Sequence, residues 1–152
     1  MTDRLEALAK KYLIRYGGDP LKGIFVRAQG ARVWDANGRE ILDFTSGQMC
    51  ATIGHNHPAI VEAIRHSTER AIHLFSGMIP DSVSELAHRL AGILPSPLTR
   101  SLFVNTGSES NEAAIRMAKL VTDGFEVLAL GGSWHGVTGA SSAVSFASDQ
   151  IG

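Results

Sequence analysis

A short apolar run that passes without a linker into a capped helix constrains this chain more than any other feature. Ser101-Leu-Phe-Val-Asn reads as a buried strand, and Thr106-Gly-Ser-Glu opens a helix carrying Ala113, Ala114, Met117, Ala118 and Val121. Glu126-Val-Leu-Ala-Leu reads as a second strand, and Gly131-Gly-Ser-Trp-His-Gly follows it. Strands alternating with such a helix predict an α/β fold, in which loops at the carboxyl ends of the strands form the ligand crevice. Within the helix, Glu112 and Arg116 are spaced for an i, i+4 ion pair.

The segments before it are of other kinds. Leu5, Leu8, Ala9, Tyr12 and Leu13 recur at helical spacing, Asp3 with Glu6 resembles a capping box, and Gly17-Gly18 would end that helix. Three short runs, 24–28, 31–35 and 40–44, predict an antiparallel meander broken at Gln29-Gly30 and Asn37-Gly38. An Asn-Gly hairpin turn predicts φ > 0 at both residues. From Thr45 to His57 there is neither period. Pro58 then opens a helix expected to reach about Ile72, and a further helix at 82–91 carries Ser82 and Glu85 as a capping box. The segments group as an N-terminal helix and meander over 1–45 and the beginning of a larger α/β domain over 46–152.

The chain's 152 residues include 14 Lys and Arg against 15 Asp and Glu, a net charge of −1 that offers no footprint for nucleic acid or an acidic membrane. No apolar run reaches the ~20 residues of a spanning helix. The start carries acids and lacks an apolar core, so no signal peptide is expected. The single cysteine, Cys50, fits a reducing compartment. A cytoplasmic protein, with no nucleic-acid or membrane partner, is the expectation.

Three places could carry chemistry. At Thr106-Gly107-Ser108 the free N–H groups and the positive end of a helix dipole face one point, which suits an anion. Gly107 would allow close approach, and the two hydroxyls could donate. The segment is neither a Walker A loop nor a Rossmann fingerprint, and an ordinary capped helix is the competing reading. Trp134, in a glycine-rich loop, could stack on a flat ligand or simply pack on a neighbouring helix. His55 and His57 share a face of an extended segment, but no third metal ligand stands at suitable spacing, which favours a helix-entry turn. Gln48 is a neutral donor and acceptor among small residues and signifies nothing alone.

Several segments nevertheless occur together in a familiar order. Arg15-Tyr-Gly-Gly, Asp43-Phe-Thr-Ser-Gly-Gln-Met, Gly54-His-Asn-His-Pro, His73-Leu-Phe-Ser-Gly-Met, Asn105-Thr-Gly-Ser-Glu-Ser-Asn-Glu-Ala-Ala-Ile-Arg-Met-Ala and Ser133-Trp-His-Gly resemble the N-terminal portion of class III (subgroup II) pyridoxal-phosphate aminotransferases. Within that family the resemblance is nearest to the 2,2-dialkylglycine decarboxylases. It implies the beginning of a fold-type I α/β architecture, incomplete here, a homodimer, and pyridoxal 5′-phosphate (PLP) as cofactor. It also implies that Thr106, Gly107 and Ser108 hold the cofactor phosphate and that Trp134 stacks on its ring. Position 108 is often alanine in that family, which puts the weight on its backbone N–H. Gln48 matches the residue credited with holding a substrate carboxylate for loss of CO₂. The Leu74 carbonyl and Ser76 match part of an alkali-metal site for K⁺ or Na⁺. The implied reaction is decarboxylation of a dialkylglycine, with its amino group passed to a keto acid such as pyruvate.

The lysine that carries the cofactor in that family belongs to later sequence. Of Lys10, Lys11, Lys22 and Lys119, only Lys119 lies on the relevant helix, eleven residues from Ser108 and about 16 Å away at ~1.5 Å per residue. The 152 residues alone are therefore expected to be inactive, and unstable because both strands lack neighbours. The alternatives are a class III ω-aminotransferase without decarboxylation and an inactive truncated subunit.

Overall fold

Where the turns carry glycine, the expected meander forms. The computed structural model describes residues 2–14 and 20–146. Strands β1 (Phe25–Gln29), β2 (Arg32–Asp35) and β3 (Glu40–Leu42) make one antiparallel sheet in that order. Gln29 pairs with Arg32 across Gly30, which has φ 57°. The second turn differs from expectation: Gly38 has φ 84°, but Asn37 is not in the left-handed region. Asp35 is the cause. Its carbonyl accepts from Gly38 N–H (3.0 Å), and its carboxylate accepts from the N–H groups of Asn37 and Arg39 (2.9 Å each). That network makes a wider turn in which only the glycine needs positive φ. Asp35 is buried, and the Arg39 N–H holds its carboxyl below the usual range against the opposing effect of burial. The Arg27 guanidinium lies 4.2 Å from the ring centre of its cross-strand partner Trp34.

The chain divides into two units, Met1–Met78 and Ile79–Gly152. Besides the sheet, the first contains helix α1 (Thr2–Tyr12), the irregular turn α2 (Ser46–Met49) and helix α3 (Pro58–Thr68). Asp3 falls within the first turn of α1, where its charge complements the dipole, rather than ahead of it as a cap. The Gly17-Gly18 stop and the Arg15-Tyr-Gly-Gly motif lie outside the described residues. α3 ends at Thr68, short of Ile72. Ser67 and Thr68 hydroxyls bond back to the Ala63 and Arg65 carbonyls, and the Glu69 and Arg70 amides tighten onto His66 and Ser67.

The second unit contains α4 (Asp81–Ile93), α5 (Gly107–Thr122) and the short α6 (Gly139–Ala143), of which α5 and α6 pack together. α4 starts one residue earlier than expected, with Pro80 as N-cap and no side-chain cap bond. The anticipated Ser82–Glu85 box is therefore absent, and Glu85 pairs with Arg89 at 2.8 Å. α5 ends at Asp123, which takes the left-handed conformation. Segments 101–105 and 126–130, expected as strands, belong to no ladder. A strand exists through its partner's hydrogen bonds, and none of the described residues supplies them. Leu102 remains 64% exposed and Leu128 99%, and no hydrophobic side chain among the described residues is buried.

Candidate functional site

The segment read from sequence as an anion site forms the start of α5. Thr106 is extended (φ −137°, ψ 160°) and its hydroxyl accepts from Glu109 N–H at 3.1 Å. The Glu109 carboxylate returns to the N–H groups of Asn105 (2.7 Å) and Thr106 (3.0 Å), completing a capping box. The Ser110 N–H bonds to the Thr106 carbonyl. The N–H groups of Gly107 and Ser108 are thus left without a partner among the described residues, at the positive end of a helix of 16 residues. A side chain at Gly107 would meet nothing within 4 Å, so the approach is open. These residues fit a phosphate group.

The loop with Trp134 is stitched to that same helix start. Ser108 Oγ accepts from Val137 N–H (2.9 Å), and Asn111 Nδ2 donates to the His135 carbonyl (2.7 Å). Gly136, buried and at φ 136°, crosses so close that a Cβ would overlap Ser108 Oγ and lie 2.8 Å from Ser108 Cα. Trp134 itself is half-exposed, at 49%. The Glu112 carboxylate does not turn to Arg116 as its spacing suggested. It accepts from Ala140 N–H and Ser141 N–H (3.0 Å each) and from the Thr138 hydroxyl (3.1 Å). Those amides, Ala140 first, hold its carboxyl below the usual range. Two backbone N–H groups and a hydroxyl outweigh one surface ion pair between long side chains.

Gln48 belongs to the first unit, in a loop organised by Asp43. One Asp43 carboxylate oxygen accepts from the Thr45 N–H (2.8 Å) and hydroxyl (2.6 Å), the other from Gly47 N–H (2.6 Å) and His55 Nε2 (2.6 Å). The Thr45 hydroxyl, then His55, hold its carboxyl far below the usual range. His55 is fixed from behind, because its N–H and carbonyl both bond to Gly30 at the β1–β2 turn. Held this way, Ser46 and Met49 sit at φ 52° and 60°, conformations that bulky residues rarely adopt. Gln48 is exposed beside an open cavity lined with Phe44, Thr45 and Met49.

His57 has a different task from His55: its Nδ1 accepts from Ala59 N–H (3.3 Å) and caps α3. This is the helix-entry turn, and among the described residues no cluster of three or more His, Cys, Asp or Glu could hold a metal ion. Leu74 and Ser76 lie on an exposed turn closed by Met78 N–H on the Phe75 carbonyl (2.8 Å). The structure therefore joins Thr106, Gly107, Ser108 and Trp134 in one unit and places Gln48, Leu74 and Ser76 in the other. Sequence reasoning named His55 and Glu112 in other roles and missed the parts played by Asp43, Asn111 and Ser145. Only Asp43-Phe-Thr carried a visible signal, that of an Asx turn.

Comparison with known proteins gives the family. The class III aminotransferase profile matches residues 14–151. An uncharacterised aminotransferase of Schizosaccharomyces pombe is 49% identical over 144 residues, 95% of this chain and 32% of that protein. Acetylornithine aminotransferase of Methanopyrus kandleri is 37% identical over 142 residues, 93% of this chain and 36% of its own length. Among solved structures, taurine:2-oxoglutarate aminotransferase from Bifidobacterium kashiwanohense, in complex with PLP and glutamate, matches with a TM-score of 0.87 at 28% identity, over 95% of this chain and 33% of that one. The chain thus spans about a third of the length of the relatives it matches. No described helix is long and apolar enough to cross a membrane.

Proposed function

The chain belongs to the class III aminotransferase family, and from that premise we propose that it forms the N-terminal part of a PLP-dependent aminotransferase. The enzyme takes an amino group from a terminal primary amine and passes it to a keto acid. The observation that carries this reading is the stitching of the Trp134 loop to a helix start with two N–H groups unpaired among the described residues. One end of that arrangement suits a phosphate and the other a flat ring.

When bound, PLP supplies an electron sink for the carbon that bears the amine. The residues of this chain bind and orient it. Gly107 and Ser108 N–H groups hold the phosphate, Thr106 fixes their direction through the capping box, and Trp134 covers one ring face against water. Gln48 offers an uncharged amide for a substrate's acid group. In this reading the whole protein works as a homodimer, and its cofactor-bearing lysine lies outside the third of the relatives' length that this chain spans.

The relatives' names favour plain amino transfer over the decarboxylating reaction implied by Gln48. Taurine and acetylornithine each offer a primary amine remote from an acid group, which sets the donor class proposed here. The Leu74 carbonyl and Ser76 hydroxyl remain candidate alkali-ion ligands that this reaction does not require. The test is to supply the whole protein with PLP, a terminal amine such as taurine, and 2-oxoglutarate or pyruvate. Release of the aminated acid without CO₂ is expected. Stoichiometric CO₂ and ketone from a 2,2-dialkylglycine, with no turnover of terminal amines, would overturn the reading.

A further inference from the structure

We infer that Glu112 and Ser145 are positioning residues that set the Trp134 loop over the start of α5, although neither lies against the cofactor in the reading above. The inference rests on that reading for the role of Trp134. Its geometry stands on its own.

Trp134 is tied on both sides. Before it, the Ser133 carbonyl accepts from Phe146 N–H (2.7 Å), and the Ser133 hydroxyl donates to the Leu130 carbonyl (2.6 Å). After it, His135 N–H and Gly136 N–H converge on Ser145 Oγ at 2.9 and 3.1 Å. A serine hydroxyl has two lone pairs and one proton. Two amides fill the lone pairs, and the proton goes to the Ser141 carbonyl at 2.9 Å or the Gly136 carbonyl at 3.1 Å. Ser145 is thus fully committed to the loop.

Ser145 in turn depends on α6, which has 5 residues and cannot stand alone. Glu112 supplies what α6 lacks. Its two oxygens take the Ala140 and Ser141 N–H groups and the Thr138 hydroxyl, and Ser141 is fully buried at that junction. Thr138 and Ser141 also bond to each other at 2.8 Å. An unbroken chain of hydrogen bonds therefore runs from α5 through Glu112, α6 and Ser145 to the residues following Trp134. It bypasses the capping box of Thr106 and Glu109, and the loop meets the phosphate end through Val137 N–H on the Ser108 side chain, not through the Ser108 N–H.

That separation gives the test. In the whole protein, Ser145→Ala and Glu112→Ala should each weaken PLP binding about tenfold or more. Affinity for inorganic phosphate should change less than twofold, because the start of α5 is untouched. Ser145→Thr, which keeps the hydroxyl, should restore PLP affinity. In a Trp134→Ala background the effect of Ser145→Ala on PLP should vanish, since the residue acts through the tryptophan. Amide hydrogen exchange without PLP should accelerate at His135 and Gly136 in Ser145→Ala.

Unchanged exchange at those amides would overturn the tie itself. Accelerated exchange with unaltered PLP affinity, or an undiminished effect in the Trp134→Ala background, would overturn the positioning role. If Trp134→Ala alone leaves PLP affinity intact, the ring-stacking reading fails and this inference with it, while the exchange data still report the tie.

Discussion

Asp43 and Glu112 do similar work at very different range. Each carboxylate collects backbone N–H groups and a hydroxyl, and each thereby shapes a loop near a candidate site residue. Asp43 reaches Thr45 and Gly47, two and four residues on, whereas Glu112 reaches Ala140 and Ser141, 28 and 29 residues on. The backbones they hold differ accordingly. The Asp43 loop carries Ser46 and Met49 at positive φ, while in the Trp134 loop only the glycines Gly132 and Gly136 adopt it. A tether of a few residues can impose a costly conformation. A tether of thirty selects among conformations the intervening chain already adopts cheaply, so glycine must supply the unusual ones.

The sharpest way to break this contrast is at Gly136. Gly136→Ala places a methyl group against Ser108 at a φ unfavourable for any side chain. A loss of about 3 kcal/mol or more is expected for the whole protein, measured by denaturant unfolding, together with loss of bound PLP. A variant as stable as the parent would mean that the loop does not cross Ser108 as described.

The Asp43 side is tested by pH. Its folded pKa lies below the ordinary value of 3.8, so the stability it contributes is complete above that value and disappears as pH falls through the lower folded one. Asp43→Asn should therefore lower the melting temperature by a constant amount near neutrality. The gap to the parent should close only once the pH drops below about 3.8. A gap that widened in acid would show that Asp43 is not the ionised acceptor.

The smallest effect is expected at the cap of α5. Thr106→Ala should cost about 1 kcal/mol, as N-cap losses generally do. Calorimetry on the whole protein would measure it, and a cost above ~2 kcal/mol would mean that Thr106 supports more than the cap.

What could be read from the amino acids followed the range of the interactions. The meander, the helix start at Thr106 and its course through Val121 depend on residues close in sequence, and they appear where expected. Ser82 misled because its pattern with Glu85 fits a cap, but the helix begins one residue earlier behind Pro80. Glu112 misled more instructively. Its spacing to Arg116 was visible, whereas Ala140 and Ser141 have no sequence mark that tells a carboxylate to find them. Segments 101–105 and 126–130 have strand composition, yet composition does not create a partner. Of the candidate site, the phosphate end was therefore legible and the supports of Trp134 were not.

The crossing of Gly136 over Ser108 also limits how these two positions can drift over evolution. Ser108 can shrink to alanine and lose only one hydrogen bond, from Val137. Gly136 has no equivalent freedom. Its obstruction includes the Ser108 Cα, which every residue possesses, so no replacement at 108 makes room for a side chain at 136. Epistasis between the pair runs in one direction: position 108 can explore while position 136 waits, and a lineage that alters the glycine first has no compensating step at 108 open to it.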